Sequence, residues 1–304
     1  MKKTLALLFI VIHFQTAPAQ LTTDHTYRPV IKAKTYPNDD GTVIHIDEGH
    51  NNHHIQGKDY QPLASMLKAD GYRIQSNTEK FSEEVLQNID ILFIASPQPD
   101  SVTANFKRLP TPSAFTAEEV EAIKHWVYNG GSLFLVADHM PLAGASASLA
   151  KVFGFTVYNS FVMNSPSNGV IDFKTSDGTL LENSPITSRR NESERIEQIR
   201  TFTGHAFKIP EGATSILRLT KSQTVYLTKE MWNFKDLAGE FSAEGLSQGA
   251  IVTHGQGKVA FFGEAAMFKA RLLGKKKIGM NHKKASENYQ LLLNVIHWLD
   301  NQIE

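Results

Sequence analysis

Three stretches of the chain are largely apolar without regular alternation, and between them apolar residues recur at helical spacing. They are Val43-Ile44-His45-Ile46, Asp90-Ile91-Leu92-Phe93-Ile94-Ala95 and Ser132-Leu133-Phe134-Leu135-Val136-Ala137. Short runs without polar alternation fit strands of a parallel sheet covered on both faces. Helical spacing places Leu63, Met66 and Leu67 on a helix from about Asp59 to Ala69 that stops at Gly71. Ser82-Glu83-Glu84 opens a short helix through Leu86. Thr116-Ala117-Glu118-Glu119 forms a capping box ahead of Val120, Ile123, Trp126 and Val127, and Asn129-Gly130-Gly131 ends that helix. Leu142 to Phe153 reads as a helix of small residues ending at Gly154. Ser286 to Asn301 carries an apolar face of Tyr289, Leu292, Leu293, Ile296 and Leu299. Tyr72–Gln75 and Phe155–Tyr158 read as short strands. Ala250–His254 and Lys258–Phe262 flank Gly255-Gln256-Gly257 as a hairpin.

Strands alternating with helices predict a doubly wound α/β sheet. From about 160 to 248 the pattern changes to short β-prone pieces, such as Val170–Phe173 and Thr224–Leu227, separated by turns. This stretch is expected to be a β-rich insertion in a single domain spanning 41–302. Residues 20–40 are expected to be extended, with Pro29, Pro37 and Asn38-Asp39-Asp40-Gly41 as turn signals. Ser96 to Ser113 is a long loop, and loops of that length in a compact domain are often lids or binding loops.

Residues 1–19 have the pattern of a secretory signal peptide. Lys2 and Lys3 precede the apolar run Leu5–Phe14, and Ala17-Pro18-Ala19 supplies small residues at a cleavage site. The run is shorter than the ~20 residues a membrane span needs. A periplasmic or secreted protein with no span after signal removal is therefore expected. Across 304 residues the formal net charge is zero. Bulk electrostatics thus gives no reason to expect nucleic acid or an anionic membrane as partner. The chain has no cysteine, which removes disulfides, thiolate nucleophiles, thiolate metal sites and a lipid anchor on cysteine.

Chemistry gathers at four strand ends, where an open parallel sheet binds its ligands. The first is Asp47-Glu48-Gly49-His50-Asn51-Asn52-His53-His54. The others are Ser96, Asp138-His139 and Gly263-Glu264. Asp47, His50, Asp138, His139 and Glu264 form a candidate site for a divalent metal, with zinc, manganese or iron suited to carboxylate and imidazole donors. Such a metal would supply hydroxide from a bound water. Without a metal, His50, Asp138 and His139 remain candidates for acid–base work, a carboxylate fixing the imidazole tautomer. Asp47 and Asp138 could equally cap the following helices. A serine triad at Ser96 has little support, since no Gly-x-Ser-x-Gly occurs. Glu48, Asn51, Ser96, Arg190, His205 and His282 are candidates for binding substrate. Arg190 belongs to the Arg- and Glu-rich segment 184–195, which could be an anion clamp or a solvated turn with internal ion pairs. His282 sits in a basic loop with Lys275-Lys276-Lys277 and Lys283-Lys284, which reads first as a solvated face, with an acidic polysaccharide partner as the alternative.

The order strand–Asp47-Glu48-Gly49-His50-Asn51–helix, then Asp90–Ala95, Trp126-Val127-Tyr128-Asn129-Gly130-Gly131-Ser132-Leu133-Phe134-Leu135 and Asn294-Val295-Ile296-His297-Trp298-Leu299, resembles the class I glutamine-amidotransferase-like superfamily. Within it the chain looks like secreted bacterial members near the trehalose-utilisation-type and intraflagellar-transport-type domains. The resemblance covers about 40–160 and 249–302. It implies a flavodoxin-like three-layer sandwich with a mostly parallel sheet. It does not carry over the reaction, because Ala137-Asp138-His139 stand where the family has its nucleophilic cysteine. The expectation is a secreted hydrolase-like enzyme acting on a carbohydrate or related ligand, its water activated by a His/Asp cluster. The alternative is a non-catalytic binding module, and a third reading is a purely structural domain. On the enzyme reading, Asp138→Ala and His50→Ala abolish activity or metal uptake and leave folding nearly intact.

Overall fold

The computed structural model describes residues 20–303 apart from Thr103 and Arg189. The signal-peptide reading therefore falls outside the described residues. A nine-stranded mixed sheet forms the centre. Its strands are β1 (Val43–Asp47), β2 (Arg73–Asn77), β3 (Ile91–Ala95), β4 (Ser132–Val136), β5 (Thr156–Val157), β6 (Phe207–Lys208), β7 (Thr214–Arg218), β8 (Ser247–His254) and β9 (Gly257–Phe262). The order is β2-β1-β3-β4-β9-β8-β6-β5, with β7 pairing off β8. Pairings from β2 through β9 are parallel. Those beyond β9 are antiparallel, so the sheet is mixed where a mostly parallel one was expected. The hairpin of β8 and β9 accounts for this: a tight turn at Gly255 reverses the chain, and only one of its strands can run parallel to β4.

Strand residues alternate between two cores. Ile44, Ile46, Ile91, Phe93, Phe134, Val136, Ala260 and Phe262 pack with α1 (Gln61–Ala69) and α5 (Asn288–Leu299). Leu92, Ile94, Leu133, Leu135, Val259 and Phe261 pack with α2 (Glu83–Leu86), α3 (Ala117–Tyr128) and α4 (Leu142–Val152). This period-two sorting explains why the strands read as continuous apolar runs: both faces are covered. Each such side chain, fully buried, contributes ~1.5–3 kcal/mol relative to exposure. The expected capping box opens α3, with Thr116 accepting from Glu119 N and Glu119 accepting from Thr116 N.

Between α4 and β8 the chain adds β structure outside the main sheet. Phe161–Met163, Thr224–Thr228 and Leu237–Ser242 make one antiparallel sheet, and Ile171–Lys174 pairs with Gln198–Thr201 in another. A third small sheet joins Leu21–Thr23 to the hairpin Ala270–Leu273 and Lys276–Gly279. The insertion and this third sheet stand over the carboxyl end of the parallel strands and form the walls of a cleft. Segment 20–40 has one short strand and is otherwise irregular.

Candidate functional site

The loop after β1 divides its two central histidines between different environments. His50 is fully buried and stacked on Phe81, with Phe115 tilted against its other side. Its Nδ1 donates to Asp47 at 2.9 Å and its Nε2 to Glu119 at 2.8 Å. Both acceptors are carboxylates, so both ring nitrogens carry protons. Burial alone would lower the His50 pKa, but Asp47 and Glu119 outweigh it and raise it above the usual value. Asp47 also accepts from Gly49 N and Asn52 Nδ2, and Glu119 from Phe81 N. This network bolts the loop to the start of α3. It lies outside the cleft.

The cleft has a volume of about 530 Å3. Its floor carries Asp138 after β4, Glu264 after β9 and Lys269, with His53 and His54 from the β1 loop. His54 is buried, and burial and the charge of Lys269 lower its pKa to about 3. It is therefore neutral. The Lys269 ammonium donates to its Nε2, and its Nδ1 donates to Asp59 at 3.3 Å. The tautomer is thereby fixed by the carboxylate behind it. Burial pushes the Lys269 amine down to about 8, against Asp138, Asp59 and Glu264, which favour its charged form.

The two carboxyl groups on the floor are driven apart. Burial pushes both upward. For Asp138 the neighbouring His139 and Lys269 and the N–H of His139 more than offset this and hold it below the usual carboxylate range. Glu264 is pushed up to about 8 by burial and by the Asp138 charge, although it accepts from Ala266 N at 2.6 Å and Met267 N at 2.7 Å. The site thus holds one ionised carboxylate and one carboxyl that stays protonated at neutral pH. Environments that split the pKa values of two neighbouring acids are the usual source of an acid–base pair.

His139 donates from Nδ1 to Met140 O, and its Nε2 stands 4.0 Å from Asp138 Oδ1. Its ring stacks on Phe161 and meets the edge of Trp232 at 4.6 Å. Trp232, 49% exposed, forms one wall with Met231, Phe106 and Lys107. Leu21, Arg271 and Ile278 of the small sheet line the cleft as well.

Of the residues singled out in the sequence, Asp138, His139 and Glu264 come together in the cleft. Asp47 and His50 do not. Ser96 is buried at the end of β3 with a φ of 48° and an unpartnered hydroxyl. His205 is buried, its Nδ1 donating to Ala206 O and its Nε2 unpartnered. The neighbouring Gly204 packs so closely that a Cβ there would stand 2.2 Å from Gly263 O, and neither Ser96 nor His205 lines the cleft. Glu48 accepts from Gln56 N, and Asn51 donates to Pro99 O. Arg190 pairs with Glu194 and donates to Thr35 and Ala33 O, fastening segment 20–40. His282 accepts from Lys284 N as a cap. None of these four lines the cleft. Lys269, Asp59, Arg271 and Trp232 were missed by the sequence reading. The one available signal was Lys269 itself, a charged residue inside the apolar run Ala265–Phe268 to Ala270.

The five-residue metal set does not assemble. Asp47 and His50 satisfy each other in the buried network, and Glu264 shares the floor with an ammonium. Among the described residues no group of three His, Asp or Glu could hold a metal ion.

No family model and no curated protein matches the chain. Solved structures do. The mmIFT52 N-terminal domain is 17% identical, with 85% of this chain covering 97% of that one and a TM-score of 0.56. Thua-like proteins from Bacteroides uniformis and Parabacteroides merdae are each 11% identical, at TM-scores of 0.44 and 0.45. They cover 90% and 86% of this chain and 94% and 91% of theirs. At such identities the likeness is one of fold: this chain shares its α/β architecture with the mmIFT52 N-terminal domain.

Proposed function

We propose that the protein is a secreted or periplasmic hydrolase of saccharides or related substrates. Glu264 is the proton donor, and Asp138, with His139 beside it, activates water. The observation that carries this reading is the pair of buried carboxyl groups at neighbouring strand ends, one held ionised and the other protonated. In glycoside hydrolysis Glu264 gives its proton to the leaving oxygen as the C–O bond breaks. Asp138 takes a proton from the water whose oxygen bonds to the anomeric carbon. Lys269, pinned by His54, offsets the Asp138 charge, and the Trp232 face suits a sugar ring.

The fold is read as an amidotransferase-like, flavodoxin-like sandwich. Support comes from the order β2-β1-β3-β4-β9, which follows the 2-1-3-4-5 winding. With Asp138 where that family carries its thiolate, the reading keeps the pocket and discards the glutaminase reaction. Export rests on residues 1–19. An N-terminus beginning at Gln20 on protein recovered outside the cytoplasm is the expected result.

The test is release of reducing ends from a panel of oligosaccharides and aryl glycosides. Glu264→Gln and Asp138→Asn are each expected to lose roughly 10²–10⁴-fold. Variants as active as the parent, or no turnover on any substrate, would sink the reading. A second reading, a non-catalytic binding module, is favoured by one contact pattern: both Glu264 oxygens already accept backbone N–H groups, as in a cap.

A further inference from the structure

The charge on the cleft walls is unlike that on its floor. Lys107 stands beside Met231, which donates its N–H to Lys107 O on the Trp232 wall. Arg271 stands on the wall formed by the small sheet. There the register Thr23–Arg271–Ile278 puts Arg271 and Ile278 on the face turned to the cleft. The next row outward, Leu21–Leu273–Lys276, shares that face. Lys276 thus lies on the same sheet face as Arg271, one row farther out, while Lys277 belongs to the opposite face.

These cations are poorly answered. Arg271 meets Asp59 Oδ1 only at 3.5 Å, a long contact that leaves its Nε buried without a hydrogen-bond partner, while Asp59 Oδ2 accepts from the neutral His54. Of the acids lining the cleft, Asp138 is matched by Lys269, and Glu264 is pushed up to about 8 and so is largely uncharged at neutral pH. Lys107 forms no ion pair among the described residues. The cleft therefore has cations left over beside an exposed indole, although the whole chain has no net charge. An Arg fork pairs two oxygens of a planar anion better than any neutral ligand group. A low-dielectric cleft strengthens that attraction.

We propose that the cleft is built for acidic saccharides, whose carboxylate or sulfate group meets Arg271 while the sugar ring lies on Trp232. This deepens the hydrolase reading and rests on it for the location of the site. Binding is measured apart from turnover, so the two can fail separately.

The experiment follows Trp fluorescence of the purified mature protein during titration with three oligosaccharides of equal length: a uronate, a sulfated one and a neutral one. The uronate or the sulfated sugar is expected to bind roughly tenfold or more tightly than the neutral one, a difference of ~1.4 kcal/mol. The preference should shrink as salt is raised. Whichever of the two binds more tightly identifies the anionic group. Lys107→Gln with Lys276→Gln, both at exposed positions, should reduce the preference without lowering Tm. Arg271→Gln should remove it. Because Arg271 also touches Asp59, the double lysine variant keeps the test decisive if Arg271→Gln fails to fold. Equal affinity for neutral and acidic sugars would overturn the inference and leave the hydrolase reading standing. Binding of none of the three would overturn both. Preferential binding of an acidic sugar without turnover would support the acidic ligand and sink hydrolysis.

Discussion

His50 and His54 lie four residues apart on one loop, and the fold uses them in opposite ways. His50 is gripped by two carboxylates between two phenyl rings and is held charged. His54 sits between an ammonium and one carboxylate and is held neutral. The first arrangement ties the ring to two carboxylates outside the cleft. The second joins Asp59 through the ring to Lys269 on the cleft floor. Sequence proximity to a strand end therefore does not make a histidine a site residue. What its two nitrogens meet decides it.

The largest expected effect breaks the comparison on the His50 side. His50→Ala leaves Asp47 and Glu119 buried without their shared partner, and breaking such a pair costs ~3–5 kcal/mol. Denaturant unfolding should show that loss, and the protein that remains folded should keep its activity per molecule. This reverses the sequence expectation that His50→Ala abolishes activity and spares the fold. Unchanged stability would mean that the network is not a bolt.

On the other side, Asp138→Asn should remove turnover by roughly 10²-fold or more and lower Tm, because the ionised carboxylate contributes stability at neutral pH. It replaces a buried charge by a neutral isostere. Glu264→Gln should act on pH dependence as well. With a folded pKa of about 8, Glu264 contributes stability that is present below its ordinary value near 4.5 and lost as pH rises through about 8. Gln cannot ionise, so the fall in Tm over that window should flatten. Asp138 has the opposite sign: its lowered pKa contributes stability that is lost as pH falls.

The histidines can be read directly by NMR titration. His50 should titrate above 6.5, His54 toward about 3 and His205 toward about 4. The signs differ accordingly. His50 contributes stability lost as pH rises through its raised pKa. His54 and His205 contribute stability lost as pH falls below 6.5. Matching titrations of His50 and His54 would erase the distinction between the two environments.

The strands and helices of the parallel half were legible because local pattern and tertiary role agree there: both sheet faces are covered, and α1 to α4 each carry a side-chain cap or a glycine stop. Asp138, His139 and Glu264 could be placed because strand ends locate a pocket in this architecture. Lys269 and Arg271 could not, since the hairpin that carries them is held over the site by Leu21–Thr23, nearly 250 residues earlier in the chain. Nor could Trp232, which reaches the cleft from within the insertion. The assignment of Asp47 and His50 failed because Glu119, 69 residues away, supplies the contact that closes their network, and no spacing rule links those positions.

The smallest expected effect tests whether the His54 side acts as a relay. In Asp59→Asn the His54 Nδ1 can still donate to the amide oxygen, so tautomer and packing are kept and only the charge is lost. That charge raises the Lys269 pKa. Its removal should lower it further, and with it the charge offsetting Asp138. Losing the charge-assisted part of that interaction, of the order of one hydrogen bond or ~0.5–1.5 kcal/mol, corresponds to roughly a two- to tenfold fall in turnover. The diagnostic readout is the pH profile, since a purely structural role would lower activity uniformly. If Asp59 acts through His54, the loss should grow toward alkaline pH, where Lys269 deprotonates earlier than in the parent. It should also disappear in the His54→Ala background. A uniform loss in both backgrounds would reduce His54 to a second structural histidine and end the contrast with His50.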